Sequence, residues 1–204
     1  VISLRKQRLR AFRPFHSLFL PKNLIHNIDR TVKILYNNRM ICLYYTTERA
    51  ESREVLAHVL EEYYGIRDAA RRLQFSLHGK PYLKDVPVRF NLSHSGTLTA
   101  VAAGRHPVGL DVQLRDEKPR ETLRSRLTPA EREEDFFRLW TAKEAYIKYR
   151  GGTLAAMLPR LAFEDGTLSE DGNPVPAHLF FDDLEGCALC VCSEKEEKIV
   201  YRKL

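Results

Sequence analysis

The chain lacks any apolar run approaching the ~18 residues that a membrane-spanning helix needs, so no membrane partner is expected. Cysteine is scarce. Four stand in 204 residues, at 42, 187, 190 and 192, too few and too clustered for the disulfide framework of a secreted domain. Buried, reduced thiols are the better account, and they point to the cytoplasm. Cys190 and Cys192 alternate within Ala188-Leu-Cys-Val-Cys192, so both belong on one face of a strand. Cys187-x-x-Cys190-x-Cys192, with His178 as a fourth ligand, invites a zinc reading. Structural zinc sites place their ligand pairs in loops, which disfavours it here. No segment repeats at a short fixed period, so a solenoid is not expected.

Acid is missing from one part of the chain. Residues 1–39 hold nine Lys or Arg and a single acid, Asp29, whereas residues 40–204 hold 24 bases and 26 acids. The formal charge of +6 therefore belongs to the first segment, and the body is close to neutral at −2. A basic arm of this kind suits nucleic acid, an organellar address or a membrane surface. A nearly neutral body without a recognisable reading module argues against a nucleic-acid partner. Residues 1–39 are read as a basic N-terminal extension that the chemistry does not need.

An apolar content of 44% supplies one substantial core or two small ones. Met40–Thr46 reads as a strand. Residues 50–64 carry Val55, Leu56, Val59, Leu60 and Tyr63 at helical spacing, with Gly65 as the stop. Short strands are predicted at Leu73–Leu77, Val88–Leu92, Leu98–Ala103 and Val108–Val112. Ser93, Ser95 and Gly96 read as a flexible polar turn. Thr128-Pro-Ala-Glu131 opens a helix with Pro at its first position. Strands close the chain near 161–163, 178–181, 187–192 and 198–202, with turns at Asp165-Gly166 and Asp171-Gly-Asn-Pro174. The order is that of a two-part α+β protein.

Two segments carry the chemistry. Read as a helix, the stretch around Trp140-Thr-Ala-Lys143-Glu144 puts Phe136, Leu139, Trp140, Lys143 and Ile147 along one side. Glu144 and Lys148 share the edge of that stripe, four residues apart; taken alone, such a pair is an ordinary solvated-helix feature. Asp111 changes the reading, because it ends the apolar run Pro107-Val-Gly-Leu-Asp111. A carboxylate in such a strand needs a cation or donors. A second carboxylate delivered by a helix lets the two hold a hard divalent ion whose remaining ligands are waters and phosphate oxygens. Gln113 lies on the same face as Asp111 and can offer a carbonyl oxygen. Thr128 and Glu131 fit a reciprocal capping box, which competes with active-site work for Glu131.

Gly109-Leu-Asp111, followed by Trp140-x-x-Lys143-Glu144-Ala-x-x-Lys148 and Gly151-Gly152, resembles the signature of the 4'-phosphopantetheinyl transferase superfamily. Upstream, Gly79-Lys80-Pro81 and Phe90-Asn91-Leu-Ser93-His94-Ser95-Gly96 match it in order and spacing, in the surfactin-synthetase-activating type with two similar halves in one chain. The resemblance runs from about Met40 onward. It implies a pseudo-twofold α+β fold, with an N-terminal half (40–105) on the coenzyme A side, a metal-binding and catalytic half (106–204), and the site in the cleft between them. It implies transfer of the phosphopantetheine arm of coenzyme A to a serine of an apo acyl or peptidyl carrier protein, releasing 3',5'-ADP, by a monomer using Mg2+ or Mn2+. Asp111, Glu144 and Gln113 would surround the metal. Glu144, Lys148 and Glu131 would act in catalysis, and Lys80, Ser93, His94, Arg53 and Lys143 would meet coenzyme A. Relatives often carry a second acid where this chain has Gln113, and a longer basic segment where only Thr46–Ser52 intervene. Both departures leave room for a retired relative that only binds coenzyme A or carrier domains.

Overall fold

A computed structural model describes residues 40–115, 121–125 and 127–204; the extension read at 1–39 lies outside the described residues. Strand β1 (Met40–Thr46) alternates its side chains between two neighbours. Cys42 and Tyr44 pack under helix α1 (Ser52–Tyr64), against Val55, Leu56, Val59 and Leu60. Ile41 and Leu43 enter a second core on the opposite face. The helix stops where expected: Gly65 takes a left-handed φ of 64° and its N–H closes on Glu61 and Leu60 carbonyls. A one-turn helix α2 (Ala69–Arg72) and a short hairpin of β2 (Gln74–Phe75) and β3 (Pro81–Tyr82) follow. The strand expected over Leu73–Leu77 is thus only two residues long.

Strands β4 (Arg89–Ser95) and β5 (Leu98–Gly104) pair antiparallel, and β5 pairs antiparallel with β1. The strand at 88–92 runs on through Ser95, so Ser93 and Ser95 are strand residues rather than a flexible turn; only Gly96, at φ 58°, makes the corner. The hydroxyls explain the difference. Strand β6 (Val108–Leu114) lies beside β4 without backbone pairing, and Asn91, Ser93 and Ser95 accept the N–H groups of Leu110, Val112 and Leu114 at 2.8, 3.3 and 2.9 Å. Side chains satisfy donors that a missing strand would otherwise have taken.

Beyond a short helix α3 (Glu121–Arg124), a 3-10 turn covers Ala130–Arg132. The helix expected to open at Thr128 breaks after that turn. Asp135 caps the true start, accepting the N–H groups of Phe137 and Arg138 at the head of helix α4 (Phe136–Arg150). A short helix α5 (Leu154–Met157) leads to a small sheet of β7 (Leu161–Glu164), β8 (Thr167–Glu170) and β9 (Asn173–Pro174). Strands β10 (His178–Leu184) and β11 (Cys187–Ser193) complete an antiparallel sheet in the order β10-β11-β6. The last strand, β12 (Lys198–Lys203), leaves that sheet and pairs parallel with β1, giving a four-stranded order β12-β1-β5-β4.

The two larger sheets face each other. Ile41, Leu43, Leu98, Ala100 and Ala102 from one meet Val108, Leu110, Val112, Leu189 and Val191 from the other. Helix α4 covers the outer face of the second sheet, packing Leu139, Ala142, Ala145 and Tyr146 with Cys190 and Cys192. The layers run helix, sheet, sheet, helix: a mixed α+β protein. Among the described residues, no helix is long and apolar enough to cross a membrane.

Candidate functional site

The site is made where β6 touches α4. A Cβ on Gly109 would collide with the Ala145 carbonyl oxygen and come within 2.6 Å of Tyr149 N. Only a residue without a side chain lets the helix backbone lie this close to the strand. Two residues on, and so on the same helix-facing side, stands Asp111, 4% exposed. From the helix, Glu144 and Lys148 come round to meet it, one turn apart. Gly151, left-handed at φ 69°, ends the helix just beyond.

Four side chains converge there. The Lys148 ammonium lies 2.6 Å from Asp111 Oδ1 and 3.9 Å from Glu144 Oε2. It also donates to Ser93 Oγ at 3.1 Å, and Ser93 in turn donates its proton to Asp111 Oδ1 at 2.9 Å. Ser93 therefore carries Asp111, Lys148 and the Val112 N–H on one hydroxyl. Trp140, one turn before Glu144, donates its indole N–H to that carboxylate. Burial and the neighbouring Asp111 charge push the Glu144 carboxyl up to about 7, against the pull of Lys148 and Trp140. Burial also raises Asp111, opposed by Lys148 and by the Ser93 donor. A carboxylate poised near neutrality beside a more strongly held one is a proton acceptor in reach of a charged partner.

Lys80 approaches the same place from the first sheet's side. Its ammonium donates to the Lys148 carbonyl at 2.6 Å and the Val108 carbonyl at 3.3 Å, capping the negative end of α4. Burial pulls it down to about 8. A cleft of about 260 Å³ opens beside it, with Tyr82, Arg89 and Phe90 on one wall and Pro107, Val108 and Gly151 on the other.

The remaining expected residues are not brought to this point. Glu131 and Lys143 are 1% and 3% exposed and form an ion pair with each other. Glu131 also accepts the N–H groups of Thr128 and Phe163, while Thr128 Oγ1 accepts that of Glu131. The capping box is formed, and Glu131 with Lys143 ties the 128–132 turn, α4 and β7 together. In this arrangement Glu131, expected in catalysis, and Lys143, expected at coenzyme A, are enclosed and engaged with each other, away from the Asp111–Lys148 cluster. His94 is exposed on the opposite face of β4 from Ser93, with α1 on that side. Arg53 lies exposed over the Phe75 ring, 4.7 Å from its centroid. Gln113 sits opposite Ala188 in the sheet, half-buried. The sequence reading missed two things. One is the tether from Trp140 to Glu144, visible in hindsight as an i,i+4 spacing with a donor at its first position. The other is the bridging role of Ser93, which depends on a neighbour 18 residues away.

The donor set suits a hard divalent cation with few protein ligands. Two carboxylates already share one cationic centre, and a serine hydroxyl joins them; an ion there would fill its shell with water and phosphate oxygens. Among the described residues, no three His, Cys, Asp or Glu side chains converge on one point. The zinc reading fails for a geometric reason as well. Cys187 faces the core between the sheets whereas Cys190 and Cys192 face α4, and all four cysteines are free and buried.

Residues 107–201 match the family model of the 4'-phosphopantetheinyl transferase superfamily. A 4'-phosphopantetheinyl transferase of Bacillus pumilus is 33% identical over 132 residues, which cover 58% of this chain and 54% of that protein. A Bacillus subtilis protein of the same description is 27% identical over 148 residues, 64% of this chain and 66% of the other. One from a Nostoc strain is 31% identical over 123 residues, 52% of each. The chain thus spans between about half and two thirds of the length of these curated relatives.

Proposed function

We propose that this chain, whose residues 107–201 match the 4'-phosphopantetheinyl transferase superfamily, transfers the phosphopantetheine arm of coenzyme A to a serine hydroxyl of an apo carrier protein. One observation carries the reading: Asp111, Glu144, Lys148 and Ser93, drawn from two strands and a helix, meet at one point.

In this reading residues 40–105 and 106–204 are two related halves, and coenzyme A enters the cleft beside Lys80, with His94 and Arg53 at the nucleotide end. Asp111 and Glu144, with Ser93 beside them and Gln113 two residues along the same strand face, would hold a Mg2+ or Mn2+ ion. Such an ion, when bound, lowers the charge on the diphosphate and orients it. Glu144, raised to about 7 by burial and Asp111, takes the proton from the carrier serine. The serine oxygen bonds to the phosphorus bearing the pantetheine arm, the bond to the bridging oxygen breaks, and 3',5'-ADP departs. Lys148 meets the negative charge that grows on the departing oxygen. Phosphoryl chemistry asks for positioning and charge more than for covalent help, which suits so small a set of groups. Lys80 steadies the helix end that carries Lys148, and Glu131 with Lys143 fixes the helix from its far side. Cysteines outside any disulfide and a carrier-protein substrate support a monomeric enzyme of the cytoplasm.

Intact-mass analysis of apo acyl and peptidyl carriers with coenzyme A and Mg2+ tests this. We expect one phosphopantetheine arm to be added per carrier, and Glu144→Gln to lose the addition. Coenzyme A binding without any mass gain across the panel would favour the retired-relative reading, to which Gln113 in place of an acid also points.

A further inference from the structure

Lys148 stands where the proposed ion would stand. Its ammonium faces Asp111 Oδ1 at 2.6 Å, Ser93 Oγ at 3.1 Å and Glu144 Oε2 at 3.9 Å. Two of its three hydrogens are engaged by Asp111 and Ser93, and Glu144 balances its charge from just beyond hydrogen-bond reach. Held so, it is directed at the carboxylates rather than at a phosphate. A divalent ion between the same carboxylates would compete for the same lone pairs and repel the ammonium. The two arrangements exclude each other, and one of the two cations must yield.

The surroundings decide which. The Asp111 and Glu144 side chains are 6% and 20% exposed, against 28% for Lys148. Asp111 is fixed by the sheet and by Ser93, and Glu144 by the Trp140 indole. Lys148 projects from the last turn of α4 on a four-carbon stem, which can swing outward by rotamer changes alone. The carboxylates stay and the ammonium leaves.

Resting on the phosphopantetheinyl-transfer reading, we propose that Lys148 is a tethered counter-ion to the Asp111–Glu144 pair. It is displaced by the divalent ion, so that ion binding and release of the ammonium toward the substrate phosphates are a single event. Coupling of this kind is reciprocal: what the ammonium gains from the carboxylates is subtracted from the affinity of the ion. The tether keeps two enclosed carboxylates from facing each other unbalanced, and it withholds Lys148 from phosphate until the ion is in place.

The test uses the full chain and Mg2+ alone, titrated calorimetrically into the unsubstituted protein, Lys148→Met and Lys148→Met/Glu144→Gln. Lys148→Met is expected to bind Mg2+ roughly tenfold more tightly, to melt lower in chelator, and to gain more from saturating Mg2+. The double variant is expected to recover its melting temperature in chelator and to lose the tight binding. Equal or weaker Mg2+ binding by Lys148→Met overturns the proposal. Should that variant not fold, the unsubstituted protein suffices: reductive methylation of Lys148, followed by peptide mass spectrometry, is expected to speed up on adding Mg2+. An unchanged rate overturns the proposal equally. Mg2+ binding with no carrier modified defeats the transfer reading and leaves the exchange standing, whereas no Mg2+ binding in any variant removes the ion and the exchange together.

Discussion

At the scale of single residues, Glu144 is the group whose surroundings matter most. It is removed from water, faces the Asp111 charge and is pushed up to about 7. A carboxyl whose folded value lies above its unfolded value binds more protons folded than unfolded between the two. Its contribution to stability is therefore present at low pH and lost as pH rises through about 7. In chelator, the melting temperature should fall between about pH 5 and pH 7, and Glu144→Gln should flatten that slope; a scan by differential calorimetry reads it. Asp111, Glu144 and Lys148 were legible as candidates because strand and helix periodicity put them on facing surfaces. The pairing of Glu131 with Lys143 was not legible, because sequence shows a charge and its spacing but not its enclosure. Only the fold reveals that the two neutralise each other in the interior.

At the scale of elements, the close approach of β6 and α4 sets the geometry, and Gly109 permits it. Gly109→Ala would drive a methyl into the Ala145 carbonyl and the Tyr149 backbone, atoms that cannot turn aside as a side chain can. Either the helix lifts from the strand or the pair fails to form, at a cost of about 1–3 kcal/mol of stability or more by analogy with overpacked cores. Because α4 carries Glu144 and Lys148 while β6 carries Asp111, any surviving fold should lose transfer far beyond its loss of stability. Chemical denaturation of Gly109→Ala beside its carrier-loading rate compares the two, and a stable, fully active variant would contradict the packing. Most strands and both long helices could be read from alternation and from stop signals such as Gly65. The break before α4 could not. Thr128-Pro-Ala-Glu131 has every local mark of a helix start, and the capping box does form, but Asp135 captures the Phe137 and Arg138 amides and begins the helix again. Ser93 and Ser95 looked like turn residues because their partners, the β6 amides, belong to another segment.

At the scale of the molecule, the core shared by the two large sheets is reinforced by the side-chain ladder from β4 to β6 and by the chain itself, when β12 leaves the second sheet's neighbourhood to pair with β1. Neither junction could be read from local sequence, since a parallel partner more than 150 residues away has no local mark. Together they predict that the two sheets stand or fall as one body. The chain's single tryptophan, Trp140, lies under the second sheet and tests this. Deleting residues 198–204 removes the six register pairs from Met40 to Tyr45 and uncovers Ile41 and Leu43 in the core shared by both sheets. If the sheets are coupled, Trp140 fluorescence and far-ultraviolet circular dichroism should still melt together in the truncated protein. The shared midpoint should be lower by at least ~5 °C, since each kcal/mol moves a chain of this size by about 2–4 °C. A Trp140 transition that keeps its original midpoint while the dichroism drops early would show that the second sheet holds α4, and with it Glu144 and Lys148, without help from the first.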